Sequence, residues 1–304
     1  MTHRTAEDAV RACYSTWSTT YYDDYYGEGA AYPPVHRDLL RRILAPRKGG
    51  TLLDAGCGPA SFLRDVTDLG FDLYGFDLTP QMVTAARQVL GERGVPAERI
   101  WQGSVLDEAA YSAPGGWPQT FDAAVCVGVL PHIPEGEEDT VFANLRGAVR
   151  PGGLVVVEAR NELFSLFTLN RYSRDFFMDR LIDRSGVLSR AAGEERGALE
   201  GALDGLEAMF RTDLPPVRRG EDGQPGYDEV LSRTHNPLEL APRFARAGFA
   251  DVRVLFYHFH CLPPMLGEAA PQAFRAASLA LEENPEDWRG HFMASAFMLV
   301  GRRE

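Results

Sequence analysis

Hydrophobic and polar positions along the chain keep two rhythms. From about residue 50 to 160, short apolar runs alternate with stretches in which apolar residues recur every three or four positions. Short bounded runs read as buried strands, and longer periodic ones as helices packed against them. Strands are predicted at 51–54, 73–77, 100–102, 123–127 and 154–159. Between the first two, Phe62, Leu63, Val66 and Leu69 fall on one helical face and Gly70 supplies a stop. Thr79 followed by Pro80 opens the next helix, because proline at the first helical position gives up an N–H that has no partner there. Asn236-Pro237 repeats this start, Leu240 and Phe244 line the apolar face, and Gly248 ends it. Two more strands, at 252–257 and 292–300, complete a sheet of seven.

Residues 161–235 break this rhythm. Leu199, Leu203, Leu206 and Phe210 stand at helical spacing, and residues 220–227 are rich in Gly, Pro and Asp, as loops are. The segment reads as a helical insertion between the fifth strand and its return helix. It is placed above the carboxyl ends of the strands, where open α/β sheets hold their ligands. The helix near 199–210 either pairs subunits or covers the core.

Chemistry enters at Leu52-Leu53-Asp54-Ala55-Gly56-Cys57-Gly58-Pro59-Ala60, which puts a strand, a glycine turn and a helix start in one stretch. Glycines let the backbone approach a ligand where a Cβ would collide. Asp77 ends the second strand, where a carboxylate accepts hydrogen bonds from both hydroxyls of a ribose. On these residues the chain resembles the class I (Rossmann-like) S-adenosylmethionine-dependent methyltransferases of small-molecule type. The resemblance runs on through Gly103-Ser104-Val105, the stretch FDAAVCVGVLPHI and the turn Arg150-Pro151-Gly152-Gly153. It covers roughly residues 50 to 160 and leaves the insertion out.

The resemblance implies an α/β fold: a seven-stranded Rossmann-like sheet with helices on both faces, an N-terminal helical lid and a helical insertion between strands 5 and 6. Residues 1–49 are then the lid, 50–160 the cofactor-binding core, 161–235 the cap over the acceptor pocket and 236–304 the rest of the core. The implied cofactor is S-adenosylmethionine, leaving as S-adenosylhomocysteine. Asp54, Gly56 and Gly58 would shape the turn beside its methionine, Asp77 would hold the ribose, and Leu78 and Met82 would flank the adenine. Ser104 stands where the family commonly has an acidic residue, with Val105 beside it, and Val127 ends the fourth strand at the same cleft. Tyr22, in the aromatic segment Trp17–Tyr26, is expected to close over the cofactor carboxylate, with Tyr32 next to the acceptor. A relative of the same fold that binds the cofactor without transferring methyl is the alternative. A nicotinamide oxidoreductase is more remote, since its fingerprint needs glycine at position 61, which is Ser61.

Methyl transfer from a sulfonium is an in-line displacement, so aligning the nucleophile is the main task, with a base useful for a hydroxyl. His132, after the fourth strand, is the candidate base, against a bland role bonding backbone. Arg160 and Asn161 close the fifth strand; alternation sends Glu158 and Arg160 to one side and Asn161 to the other. Arg160, Asn161 and His235 are the expected acceptor contacts. His258 and His260 alternate on one strand face, but no third or fourth ligand accompanies them, so no metal is expected.

Composition narrows the partners. The chain has a formal net charge of −12, which argues against nucleic acid, since phosphate binding needs concentrated positive charge. No apolar run approaches the about 18 residues of a membrane span, and no signal-like segment opens the chain. A cytoplasmic enzyme acting on a small-molecule acceptor of natural-product biosynthesis is the expectation.

Overall fold

The computed structural model describes residues 3–18, 20–26, 33–47, 49–213 and 230–304. Its seven strands are β1 (Thr51–Ala55), β2 (Asp72–Asp77), β3 (Ile100–Gln102), β4 (Phe121–Cys126), β5 (Val149–Arg160), β6 (Phe249–Phe259) and β7 (Ala294–Arg303). They form one sheet in the order β3-β2-β1-β4-β5-β7-β6. The first five are parallel; β7 runs antiparallel between β5 and β6. This is the mixed, seven-stranded Rossmann-like sheet expected of a methyltransferase.

Among the described residues the helices are α1 (His3–Ser15), α2 (Tyr21–Tyr25), α3 (Val35–Leu44), α4 (Pro80–Gly91), α5 (Glu138–Ala148), α6 (Ser165–Thr168), α7 (Arg171–Asp175), α8 (Arg184–Leu188), α9 (Gly193–Glu207), α10 (Pro237–Arg246), α11 (Pro271–Leu281) and α12 (Gly290–Met293). Alternating strand residues feed two cores. Leu53, Phe76, Ala124 and Val155 meet Phe142 of α5 and Phe244 of α10 on one face. Leu52, Leu73, Val125 and Val156 meet Leu40 of α3 and Ala86 of α4 on the other.

Three local expectations change. Phe62, Leu63, Val66 and Leu69 are buried as predicted, but on two short 3-10 turns rather than a helix. Thr79 makes no side-chain cap bond; Asp77 Oδ1 accepts its backbone N–H at 2.8 Å instead. The last strand begins at Ala294, since residues up to Met293 form α12. Asn236 does cap α10, its side chain accepting the N–H of Leu238 at 3.0 Å.

The chain order reverses direction across the sheet between β1 and β4. Open α/β sheets form a crevice outside the carboxyl ends of the strands at such a point.

Candidate active site

At the β1/β4 crevice lies a cleft of about 100 Å³ whose wall includes Gly56, Gly58, Asp77, Leu78, Met82, Ser104, Val105, Val127 and His132. Gly56 has φ +86°, and a Cβ there would come within 2.4 Å of Val129 Cγ2. Gly58 has φ +52° and open space beside it. The turn therefore tolerates no side chain at the first glycine and keeps room at the second. Asp77 braces it, Oδ2 accepting the Gly58 N–H at 2.9 Å. Burial raises the Asp77 carboxyl, and the Thr79 and Gly58 N–H groups pull it back. With the Thr79 side chain also bonded to it, the carboxylate still has a lone pair to offer a ribose hydroxyl. Asp54 stands behind the cleft rather than in its wall; burial, and then Asp77, push its carboxyl up to about 8.

Apolar Leu78, Met82, Val105 and Ile133 supply flat faces for a base. Ser104 is where the family's acidic residue was expected, and α1 brings one to it: the Ser104 hydroxyl donates to the Glu7 carboxylate. With a glycine turn that admits a backbone-hugging ligand and an acid braced at the end of β2, the residues fit S-adenosylmethionine.

A second cavity, of about 290 Å³, adjoins the first; Tyr14, Tyr21, Val127 and Gly128 line both. It runs under the lid across the carboxyl ends of β4, β5 and β6, past Glu158 and Arg160 to Tyr257, His258 and His36. Three strand spacings of about 4.8 Å make this slot roughly 14 Å across. Glu158 and Arg160 share the cavity, as alternation predicted. The cavity has no lining residue from 161–235, so among the described residues its walls come from the lid and the sheet and not from the insertion.

His132 stands at the junction. Its Nδ1 lies 2.7 Å from the Leu231 carbonyl, which only accepts, so Nδ1 carries the proton and Nε2 the lone pair. The Tyr14 hydroxyl, 2.8 Å from Nε2, donates to it. Burial lowers the imidazole to about 4, against the Leu231 bond, so the ring is neutral near pH 7.

Other expected residues do different work. Tyr22 lines neither cavity; the Arg64 guanidinium covers its ring at 3.4 Å and its hydroxyl faces Asp65 at 3.5 Å. Asn161 is 2% exposed. Its Nδ2 reaches the carbonyls of Gly290, His291 and Ala294 at 3.1, 2.8 and 2.8 Å, and Oδ1 accepts the Leu163 N–H. It ties β5 to α12 and leaves nothing for an acceptor. His235 packs with its Nε2 3.3 Å from Glu138, which also receives Arg233 and Arg243, in a separate polar hollow. There burial raises the Glu138 carboxyl but the bonds from His235 and Arg233 outweigh it, holding it far below the usual range. Tyr32 lies outside the described residues.

The expected alternation of His258 and His260 also fails. His258 has φ +55°, so Tyr257 and His258, neighbours in sequence, both face the cavity. His260 turns away, its ring 4.8 Å from that of Phe164 and its Nδ1 bonded to the His258 carbonyl. Glu7, Tyr14, Tyr21 and Glu158 were not singled out from sequence for the roles they hold; the aromatic density of residues 14–26 was the available signal for the two tyrosines.

The fold and this cleft define a Rossmann-like nucleoside-cofactor enzyme. Residues 53–155 match a family model described as a methyltransferase domain. Ubiquinone biosynthesis O-methyltransferase of Xanthomonas axonopodis pv. citri (strain 306) is 30% identical over 139 residues, 46% of this chain and 54% of that protein. Its counterpart in Proteus mirabilis (strain HI4320) is 29% identical over 153 residues, 48% of this chain and 56% of the other. The chain thus spans about half the length of the curated relatives it matches. Magnesium protoporphyrin IX methyltransferase from Synechocystis PCC 6803, with bound S-adenosylhomocysteine, superposes with a TM-score of 0.53 at 14% identity, over 98% of this chain and 100% of that one. The DhpI–S-adenosylhomocysteine complex gives 0.51 at 14% identity, over 99% and 98%; both likenesses are of fold. Residues 53–155 thus resemble a methyltransferase domain, and the fold is that of the class I, Rossmann-like S-adenosylmethionine-dependent methyltransferases. Among the described residues no helix is long and apolar enough to cross a membrane.

Proposed function

We propose that the protein transfers a methyl group from S-adenosylmethionine to a small metabolite held in the 290 Å³ cavity, as a cytoplasmic enzyme of natural-product biosynthesis. One observation carries the reading: the cofactor cleft and the cavity share the wall formed by Tyr14, Tyr21, Val127 and Gly128, with the Tyr14–His132 pair at their junction. A cavity of this size, roofed by tyrosines, suits a small molecule better than a polymer. The matched residues, 53–155, stop short of most of that cavity, whose acceptor this chain's own lid and last strands select.

In this reading Gly56 and Gly58 admit the methionine end of the cofactor, Asp77 takes its ribose hydroxyls, and Leu78, Met82 and Val105 sandwich the adenine. Bound there, S-adenosylmethionine supplies an electrophilic methyl on a sulfonium. The chain's own part is alignment. The Tyr14 oxygen accepts a hydrogen bond from the nucleophile and directs its lone pair toward the cleft. His132 Nε2 fixes the Tyr14 proton and can take it when the nucleophile's proton moves onto Tyr14. Because His132 is neutral near pH 7, the pair adds no positive charge beside a cationic donor.

The test is S-adenosylhomocysteine release over a panel of amine, phenol and alcohol acceptors. Tyr14→Phe is expected to lower kcat about 100-fold, the size of general acid–base assistance, with cofactor affinity within threefold of the parent. Tight cofactor binding with no turnover on any acceptor would count against methyl transfer.

A further inference from the structure

Glu158 is the group in the cavity that the alignment role leaves unused. It sits on β5 at 5% exposure, lines the cavity, and its Oε2 accepts the Gly128 N–H at 2.6 Å. The Tyr257 hydroxyl bonds to it, and its charge adds to the burial that raises the hydroxyls of Tyr21, Tyr26 and Tyr257. A carboxylate taken this far from water is costly unless a cation or further donors complete it, and it can accept about four hydrogen bonds. The tyrosines around it offer ring faces, which attract cations.

His36, His258 and four of the tyrosines that face the cavity supply no counter-charge. His36 and His258 are pushed by burial to about 4 and about 3 and are neutral. Tyr14, Tyr21, Tyr26 and Tyr257 are raised and so protonated. Arg160 is the one cation among the lining residues; it stands two positions along β5, about 7 Å away, and its Nη1 donates to Ser232 Oγ at 2.5 Å on the insertion side. Glu158 and Arg160 thus put an acidic and a basic group on the wall of one cavity.

We infer that Glu158 and the tyrosines around it seat the ammonium of the acceptor, and that the nucleophile is an amine nitrogen. The inference rests on the methyl-transfer reading. The arriving ammonium first loses a proton to solvent water. The nitrogen lone pair then forms the N–C bond while the S–C bond breaks with its electrons going to sulfur. The positive charge moves from sulfur to nitrogen, into the carboxylate's reach. A hydroxyl acceptor would yield a neutral ether and bring no positive charge to Glu158.

The experiment is calorimetric titration of 2-phenylethylamine and 2-phenylethanol, a pair alike in shape, at pH 7.5 into full-length protein saturated with S-adenosylhomocysteine. The amine, bound as ammonium, is expected at least tenfold tighter. Glu158→Gln keeps an oxygen for the Gly128 N–H and should bring the two within twofold, with S-adenosylhomocysteine affinity unchanged. Arg160→Met, which removes the opposing charge, should tighten the amine about threefold. Equal binding of the pair to the parent, a preference that survives in Glu158→Gln, or no binding of either probe to the loaded protein overturns the inference. Failure of S-adenosylhomocysteine itself to bind strikes the methyltransferase reading instead.

Discussion

The two halves of the site are built differently. The cofactor half takes most of its wall from the loops after the consecutive strands β1 to β4, so that Gly56, Gly58, Asp77, Leu78, Met82, Ser104 and Val105 reach one cleft within fifty residues of chain. The acceptor half is gathered from α1, α2, α3, β5, β6 and β7, with Tyr14 and Ala296 at opposite ends of the sequence. The first is local geometry repeated along a sheet edge. Residues of α1 and α2 close both, but only the second draws on β5, β6 and β7, so its chemistry is free to change while the glycine turn and Asp77 stay as they are.

The sharpest break between the halves is expected at Asp77. Its two oxygens brace the glycine turn through Gly58 and open the next helix through Thr79, and in the proposed complex they also hold the ribose. Hydrogen bonds to a charged group are worth about 1.5–3 kcal/mol each. Asp77→Ala should therefore weaken S-adenosylhomocysteine at least about 100-fold by calorimetry, while spectra of the aromatic-rich acceptor half stay those of the parent. An equal loss of both would mean that the two halves fold as one unit around the cofactor.

The same contrast explains what the sequence makes legible. Strand periodicity, the Asn236 cap and the spacing from Asp54 to Asp77 are local, and the sheet and the cleft follow from them. The reversed β7 between β5 and β6 fixes which residues lie opposite β5, and no local pattern encodes that. Asn161 shows the consequence. Its place after β5 reads as an acceptor contact, yet more than a hundred residues later α12 supplies two carbonyls and the start of β7 a third that absorb its amide. His258 shows another: strand alternation groups it with His260, but its left-handed backbone turns it into the cavity and leaves His260 outside. Glu7 reaches Ser104 across ninety-seven positions, a distance over which composition is silent.

Asn161→Ala sharpens the difference between a contact and a brace. Its removal takes a donor from the His291 and Ala294 carbonyls, while the Gly290 carbonyl keeps the Ala294 N–H, at a cost of roughly 2–3 kcal/mol. For a protein of this size that is a fall in Tm of about 3–5 °C. KM for an accepted substrate should stay within about twofold, because the side chain points away from the cavity. A large rise in KM with unchanged Tm would return Asn161 to the acceptor site.

The smallest effect expected concerns protons, and it again divides the halves. His36, His132, His258 and His260 all lie in or beside the acceptor half, held by burial at about 4, 4, 3 and 4. Unfolded, each titrates near 6.5, so below that pH the unfolded chain binds the extra protons and stability falls with pH down toward 4. Buried acids act oppositely: Asp54 at about 8 and Glu282 at about 7 are held highest, with Asp65, Asp77 and Glu162 also raised, and the protons they hold in the folded state are released on unfolding, so that their contribution is lost as pH rises through the folded values. The four histidines outweigh the two acids with large shifts on the acid side. Stability should peak near pH 6.5–7, drop by about 1–3 kcal/mol by pH 5, and decline more gently toward pH 8.5. Thermal unfolding across that range measures it. A flat profile down to pH 5 would mean that the imidazoles already meet water, and hence that the lid stands open over the acceptor half while the cofactor half remains closed beneath its own strands.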